Sequence, residues 1–228
     1  MTVDSGRVDT VMFDSFSTIV DVDVSSVLAE YVEDPELTSQ LWRTQISRFR
    51  PLANFIGYVP HEEINKQALR YVFEMLDVPY TDEDLDQIGS IYHRLDPFDD
   101  VRAGMERLSD MGYDLYILSN GDHDVLDSMV ENAEIDHVLT DVISADEIKT
   151  YKPHSRLYKY AARRTGEYPE NIVHCSAAWY DVQGAMHAGM QGIWVNRKDQ
   201  PQGLRPFDGE IDSEVRDFDE IADILSAK

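Results

Sequence analysis

From Pro97 onward the chain alternates short apolar runs with segments of helical spacing, and the apolar runs end in polar residues. Residues 113–118 read as a buried strand running into Ser119 and Asn120. A helix over 122–132 follows, then the strand and loop DVISADE, a helix over 155–164, the strand NIVHCS, a helix over 181–188 and the strand GIWVN. Near the start, RVDTVMFDSFSTIVD gives a further strand that ends at Asp14 and opens into a loop. Strands separated by helices predict an α/β fold with a doubly wound, Rossmann-like parallel sheet. Ligands of such sheets sit beyond the carboxyl ends of the strands. Those ends carry Asp14, Ser119, Asn120, Lys152 just after a loop, and residues 176–181, so their polar chemistry should converge on one crevice.

The stretch between the first strand and Pro97 has a different character. Residues 28–32, 37–49, 62–76 and 82–95 show helical spacing, punctuated by Asp34-Pro35, Pro60 and Pro79. Thr81 followed by Glu83 and Asp84 reads as a helix start. The expected organisation is a core of 1–21 and 96–228 with an all-helical cap, 22–95, inserted over the strand ends as a lid.

Charge narrows the partners. With 44 acidic and 20 basic residues the formal net charge is -24, and no basic patch stands out. Nucleic acid and anionic membrane surfaces are therefore poor partners. Self-repulsion of this size opposes compaction and is screened by molar salt, which points to a halophilic protein that gains stability as salt is added. No run approaches the length of a membrane span, and no basic segment followed by an apolar run marks a secretory leader, so a cytoplasmic location is expected. Cys175 is the single cysteine, which excludes an internal disulfide and a cysteine-rich zinc site.

Taken in order, FDSFST, ILSNG, YKP and CSAAWYDVQGAMHAGM resemble the four motifs of the haloacid dehalogenase superfamily, over essentially the whole chain. Phosphatases of that superfamily usually carry a second Asp two residues after the nucleophile, and a paired acid in the fourth motif that helps hold Mg²⁺. Here Phe16 stands at the first place, Ser176 or Ala177 at the second, and only Asp181 is left. The similarity to the metal-independent (S)-2-haloacid dehalogenases extends into the insertion through LWRTQ and QALRYVFEML, and continues in YKPHSRLY and WVNR.

That resemblance implies a cofactor-free hydrolase converting a short (S)-2-haloacid to the (R)-2-hydroxyacid. Asp14 would be the nucleophile that displaces halide and forms an ester. Thr18 would orient it and Lys152 would pair with it. Arg43 and Asn120 would cradle the halide, and Ser119 with backbone N–H groups would hold the substrate carboxylate. Tyr158, Ser176 and Asp181 would complete the catalytic set, with Asp181 near the hydrolytic water. Phe16 and Tyr180 would touch the substrate. A small anionic substrate in an acidic chain requires local positive charge, and Arg43 and Lys152 are the candidates; a solvated helix ion pair is the alternative for Arg43. A homodimer is implied by resemblance alone.

The chain departs from the dehalogenase pattern at several places. Phe16 and Ser17 stand for the usual Tyr and Gly, Ala178 for Asn, and Tyr180 for Trp. Ser47 and His61 fall where apolar pocket residues are frequent. His61 is read as a surface residue at a helix start, with a substrate contact as the alternative. Residues Phe55, Ile56 and Tyr58 are expected in the cap core or a dimer contact, and His174 within a strand as a bland core residue. A phosphatase and a non-catalytic anion-binding protein on the same scaffold stay open as alternative functions.

Overall fold

The computed structural model describes residues 2–201 and 210–226. Its centre is a parallel sheet of six strands: β1 (Thr10–Phe13), β2 (Asp114–Ser119), β3 (Asp141–Ser144), β4 (Ile172–Ser176), β5 (Gln191–Val195) and β6 (Ser213–Val215). They lie in the order β3-β2-β1-β4-β5-β6, and every neighbouring pair is parallel. Strand β1 is buried along its whole length and β4 likewise, as expected of strands covered on both faces. The chain winds outward from β1 to β3, then crosses back to β4 on the other side of β1. That reversal opens a crevice at the carboxyl ends of β1 and β4.

Between Asp21 and Asp96 the described structure is helical. Asp21 N–H donates to the Asp96 carbonyl at 2.9 Å, so the chain leaves and re-enters the sheet region at one point. The insertion holds α1 (Ser25–Leu28), α2 (Pro35–Ala53), α3 (His61–Met75), α4 (Asp82–Gly89) and a 3-10 turn, Ser90–His93. Pro35 opens α2, where its missing N–H costs nothing, and the Asp34 side chain accepts from Leu37 N–H. At α4 the Thr81 hydroxyl and Asp84 carboxylate form a reciprocal capping box. The fully buried Trp42 joins α2 to α3, its indole N–H donating to the Asn65 carbonyl at 2.8 Å.

Some elements differ from expectation. The first short helix is Ser25–Leu28 rather than 28–32. Phe55 and Ile56 are outside the cap core, each about four-fifths exposed at 81% and 82%, which leaves the dimer contact of the two alternatives. Tyr58 instead reaches the sheet domain, donating to Asp146 and stacking on Tyr151. The edge strand β6 and the helix α9 (Phe218–Leu225) were not foreseen. Helix α9 packs on α5 (Val101–Asp110) and seals one face of the sheet, its Phe218 ring stacked on Phe13 at 5.0 Å. Helices α6 (His123–Ala133), α7 (Ser155–Thr165) and α8 (Trp179–His187) follow β2, β3 and β4.

Candidate active site

Asp14 begins where β1 stops, its N–H still tied to the Cys175 carbonyl at 2.9 Å, so the sheet fixes its backbone. Asp14 is 8% exposed, and its carboxylate meets side chains from its own loop, from beyond β3 and from the end of β4. Lys152 Nζ donates to Asp14 Oδ1 at 2.5 Å, to Asp181 Oδ2 at 2.8 Å and to the Leu118 carbonyl at 2.8 Å. The Thr18 hydroxyl donates to Asp14 Oδ2 at 3.2 Å and accepts from Ala177 N–H, which points its lone proton at the carboxylate. Ser176 Oγ stands 3.5 Å from the same oxygen and accepts from Ala178 N–H. The main chain of Lys152 is placed by Asn120, whose amide oxygen accepts its N–H at 2.8 Å.

Asp181, in the first turn of α8, is surrounded by donors. Tyr158 OH reaches its Oδ1 at 2.5 Å, and His174 Nε2 lies 3.0 Å from Oδ2, which also receives Lys152. Burial alone would raise its pKa, but Lys152 and His174 outweigh that and hold the carboxyl well below the usual range. For Lys152, burial acts to lower the pKa, and the charges of Asp14 and Asp181 overcome it and raise it. Burial, reinforced by Asp181, pushes the Tyr158 phenol well above its ordinary value, so it stays a donor. Gly184 permits this packing: a Cβ there would stand 2.7 Å from Tyr158 OH.

A cavity of about 290 Å³ opens above this network. Asp14, Phe16, Arg43, Asn120, Lys152, Tyr180 and Asp181 line it. Thr18, Ser176 and Tyr158 stand behind, touching the liners rather than the cavity. Ser119 departs from expectation. It is fully buried, its hydroxyl is shared between Ser15 Oγ at 2.5 Å and Gly121 N–H at 2.9 Å, and it is not among the residues that line the cavity. The Arg43 guanidinium comes down from α2 and donates to Ser17 Oγ at 3.4 Å. Ser17 has φ 67°, in the left-handed region where glycine is the usual choice.

Several lining residues were not assigned from sequence. Arg50 follows Arg43 by seven residues, and Arg43, Ile46, Ser47 and Arg50 form one stripe of α2 along the cavity. That spacing was the available signal. His174 is a polar partner of Asp181, not a bland core residue. His61 is 2% exposed rather than on the surface, because Asp122 of the sheet domain grips the start of α3 through the N–H groups of His61 and Glu62, at 3.2 and 2.8 Å. Burial, with the Arg50 charge adding to it, holds the imidazole pKa well below 6.5. A histidine buried neutral is lost to protonation in the unfolded chain, so its penalty grows as pH falls below about 6.5, by ~1.4 kcal/mol per unit until the folded value is reached. His61→Phe is therefore expected to flatten the acid limb of stability below about pH 6.5 relative to wild type, as read by urea unfolding at a series of pH values.

Residues 8–189 match the family described as haloacid dehalogenase-like hydrolase. The chain belongs to the haloacid dehalogenase-like hydrolases. Several of its relatives within that family are (S)-2-haloacid dehalogenases. The (S)-2-haloacid dehalogenase H-109 of Pseudomonas putida is 29% identical over 224 residues, covering 96% of this chain and 98% of that protein. An (S)-2-haloacid dehalogenase of Pseudomonas fluorescens is 31% identical, over 82% of this chain and 84% of its own length. Among solved structures, an L-2-haloacid dehalogenase superposes with a TM-score of 0.90 at 27% identity, covering 96% of this chain and 99% of the other. The similarity of this haloacid dehalogenase-like hydrolase to such proteins spans the insertion as well as the sheet. No helix among the described residues is long and apolar enough to cross a membrane.

Proposed function

We propose that this chain hydrolyses short (S)-2-haloacids to (R)-2-hydroxyacids through an ester on Asp14, without a metal ion. The observation that carries the reading is the Asp14–Lys152–Asp181 network beneath a cavity lined by arginine, in a chain whose relatives are (S)-2-haloacid dehalogenases. Lys152 engages one Asp14 oxygen closely, and the longer contacts of Thr18 and Ser176 leave the other the freer nucleophile. Attack on C2 from the side opposite the halide inverts that carbon. Arg43 and Asn120 receive the halide, and backbone N–H groups after Asp14 receive the carboxylate.

Water then attacks the ester carbonyl carbon of Asp14. While Lys152, Tyr158 and His174 all donate to it, Asp181 is a weak proton acceptor. Esterification removes the Asp14 charge that helps keep Lys152 protonated, so the Lys152 pKa falls and its neutral amine, beside Asp181, becomes the more accessible acceptor for the proton that water must lose. The position that a phosphatase fills with an acid is occupied by Phe16, whose ring stacks on His61 and transfers no proton. The similarity to (S)-2-haloacid dehalogenases favours carbon over phosphorus as the electrophile.

Residues 22–95 would act as the cap over this site. A homodimer, a cytoplasmic location and adaptation to high salt belong to the same proposal, the last on the charge of -24. The test is formation of (R)-lactate from (S)-2-chloropropionate in molar KCl with EDTA present. Stereospecific lactate formation insensitive to EDTA is expected; turnover only of phosphate esters, and only with added Mg²⁺, would overturn the reading.

A further inference from the structure

The cavity wall is more polar than a haloalkyl chain requires. His61 is 2% exposed and lines the cavity, yet neither ring nitrogen has a hydrogen-bond partner. The ring is clamped, stacked on Phe16 at 5.5 Å and edge-on to Tyr92 at 6.2 Å, so it cannot swing away to find one. Beside it, Arg50 lines the same cavity, makes no ion pair among the described residues, and has its Nε buried without a partner. Unmatched buried donors cost free energy until something binds them. In a chain with 44 acidic residues, Arg50 lines the cavity with no carboxylate partner among the described residues.

The cations already in use are elsewhere. Lys152 is committed to Asp14 and Asp181, and Arg43 approaches Ser17 at the Asp14 end. Arg50 stands two helical turns further along α2. Arg43, Arg50 and His61 all line the same cavity of about 290 Å³, and among the described residues only Arg43 of the three has a side-chain hydrogen-bond partner, at the Asp14 loop.

Resting on the dehalogenase reading, we infer that Arg50 and His61 form a subsite for a second carboxylate on the substrate, so that the preferred class is 2-halodicarboxylates of the halosuccinate type. Arg50 supplies charge and N–H donors, and the neutral His61 supplies one further N–H. A fixed polar wall of this kind discriminates strongly against an analogue that lacks the matching group.

The experiment compares kcat/KM for (S)-2-chlorosuccinate and (S)-2-chlorobutanoate, which share a four-carbon skeleton and differ in the terminal carboxylate. Wild type is expected to favour the dicarboxylate by at least ~10-fold, and that ratio should fall at least ~10-fold in Arg50→Gln and in His61→Phe. A wild-type preference for chlorobutanoate, or a ratio untouched by both substitutions, would overturn the subsite. Calorimetric binding of unreactive succinate and butanoate to wild type separates this from failure of the chemistry. If no haloacid is turned over, the dehalogenase reading fails, while succinate binding at least ~10-fold tighter than butanoate still supports the subsite. Equal or weaker binding of succinate rejects it.

Discussion

Lys152→Met is expected to lower kcat on (S)-2-chloropropionate by ~10³-fold or more and to destabilise the fold by about 3–5 kcal/mol. The side chain is 2% exposed and its ammonium is the group that bridges Asp14 and Asp181. Methionine keeps much of the volume and removes the charge, leaving two buried carboxylates without the cation between them. Asp181, whose pKa is held far down by Lys152 and His174 against the effect of burial, should then take up a proton more readily. The pH signature has two limbs. The Asp181 contribution is present above about pH 4 and is lost as pH falls through its depressed folded value. That of Lys152 is present below about pH 10.4 and is lost as pH rises through its raised folded value. Denaturant unfolding across pH should show both limbs shrink in the variant. Near-wild-type stability and turnover would contradict a bridging role.

Asp14→Asn is expected to abolish turnover, by about 10⁴-fold or more, with the fold intact. The amide is nearly isosteric, and its single oxygen can still accept from Lys152 while its NH₂ faces the Thr18 hydroxyl, but it is a poor nucleophile and carries no charge to displace halide. Intact-mass measurement during turnover should show no substrate-derived adduct in the variant, whereas wild type trapped early should carry one. Equal rates for the two proteins would remove Asp14 from the chemistry.

What the sequence made legible follows from where the chemistry sits. Asp14, Asn120, Lys152 and Asp181 each follow a buried strand or its loop, and a parallel sheet forces such positions together whatever the loops do. The depth of side chains was harder to read. Ser119 looked like a substrate ligand because it ends a strand, but a pairing with Ser15, more than a hundred residues away, turns its hydroxyl inward. His61 looked like a solvated helix start, since the Asp122 carboxylate that buries it comes from the other unit and leaves no local trace. His174 alternates correctly as a strand residue, and only the position of α8 over β4 makes it a partner of Asp181. Helix α9 and the three-residue β6 escaped notice, β6 being too short to show a period. Arg50 was legible in principle, one stripe along α2 from Arg43.

The claim beneath all of this is that a carboxylate oxygen of Asp14 attacks carbon and that water later attacks the carboxyl carbon. A single turnover in H₂¹⁸O, with protein in excess over (S)-2-chloropropionate, tests it directly by peptide mass spectrometry. The ester route places ¹⁸O in the Asp14 side chain and leaves the hydroxyl of the first-formed lactate unlabelled. Label in the lactate hydroxyl with Asp14 unlabelled would mean that water attacked C2 itself, and would contradict the mechanism.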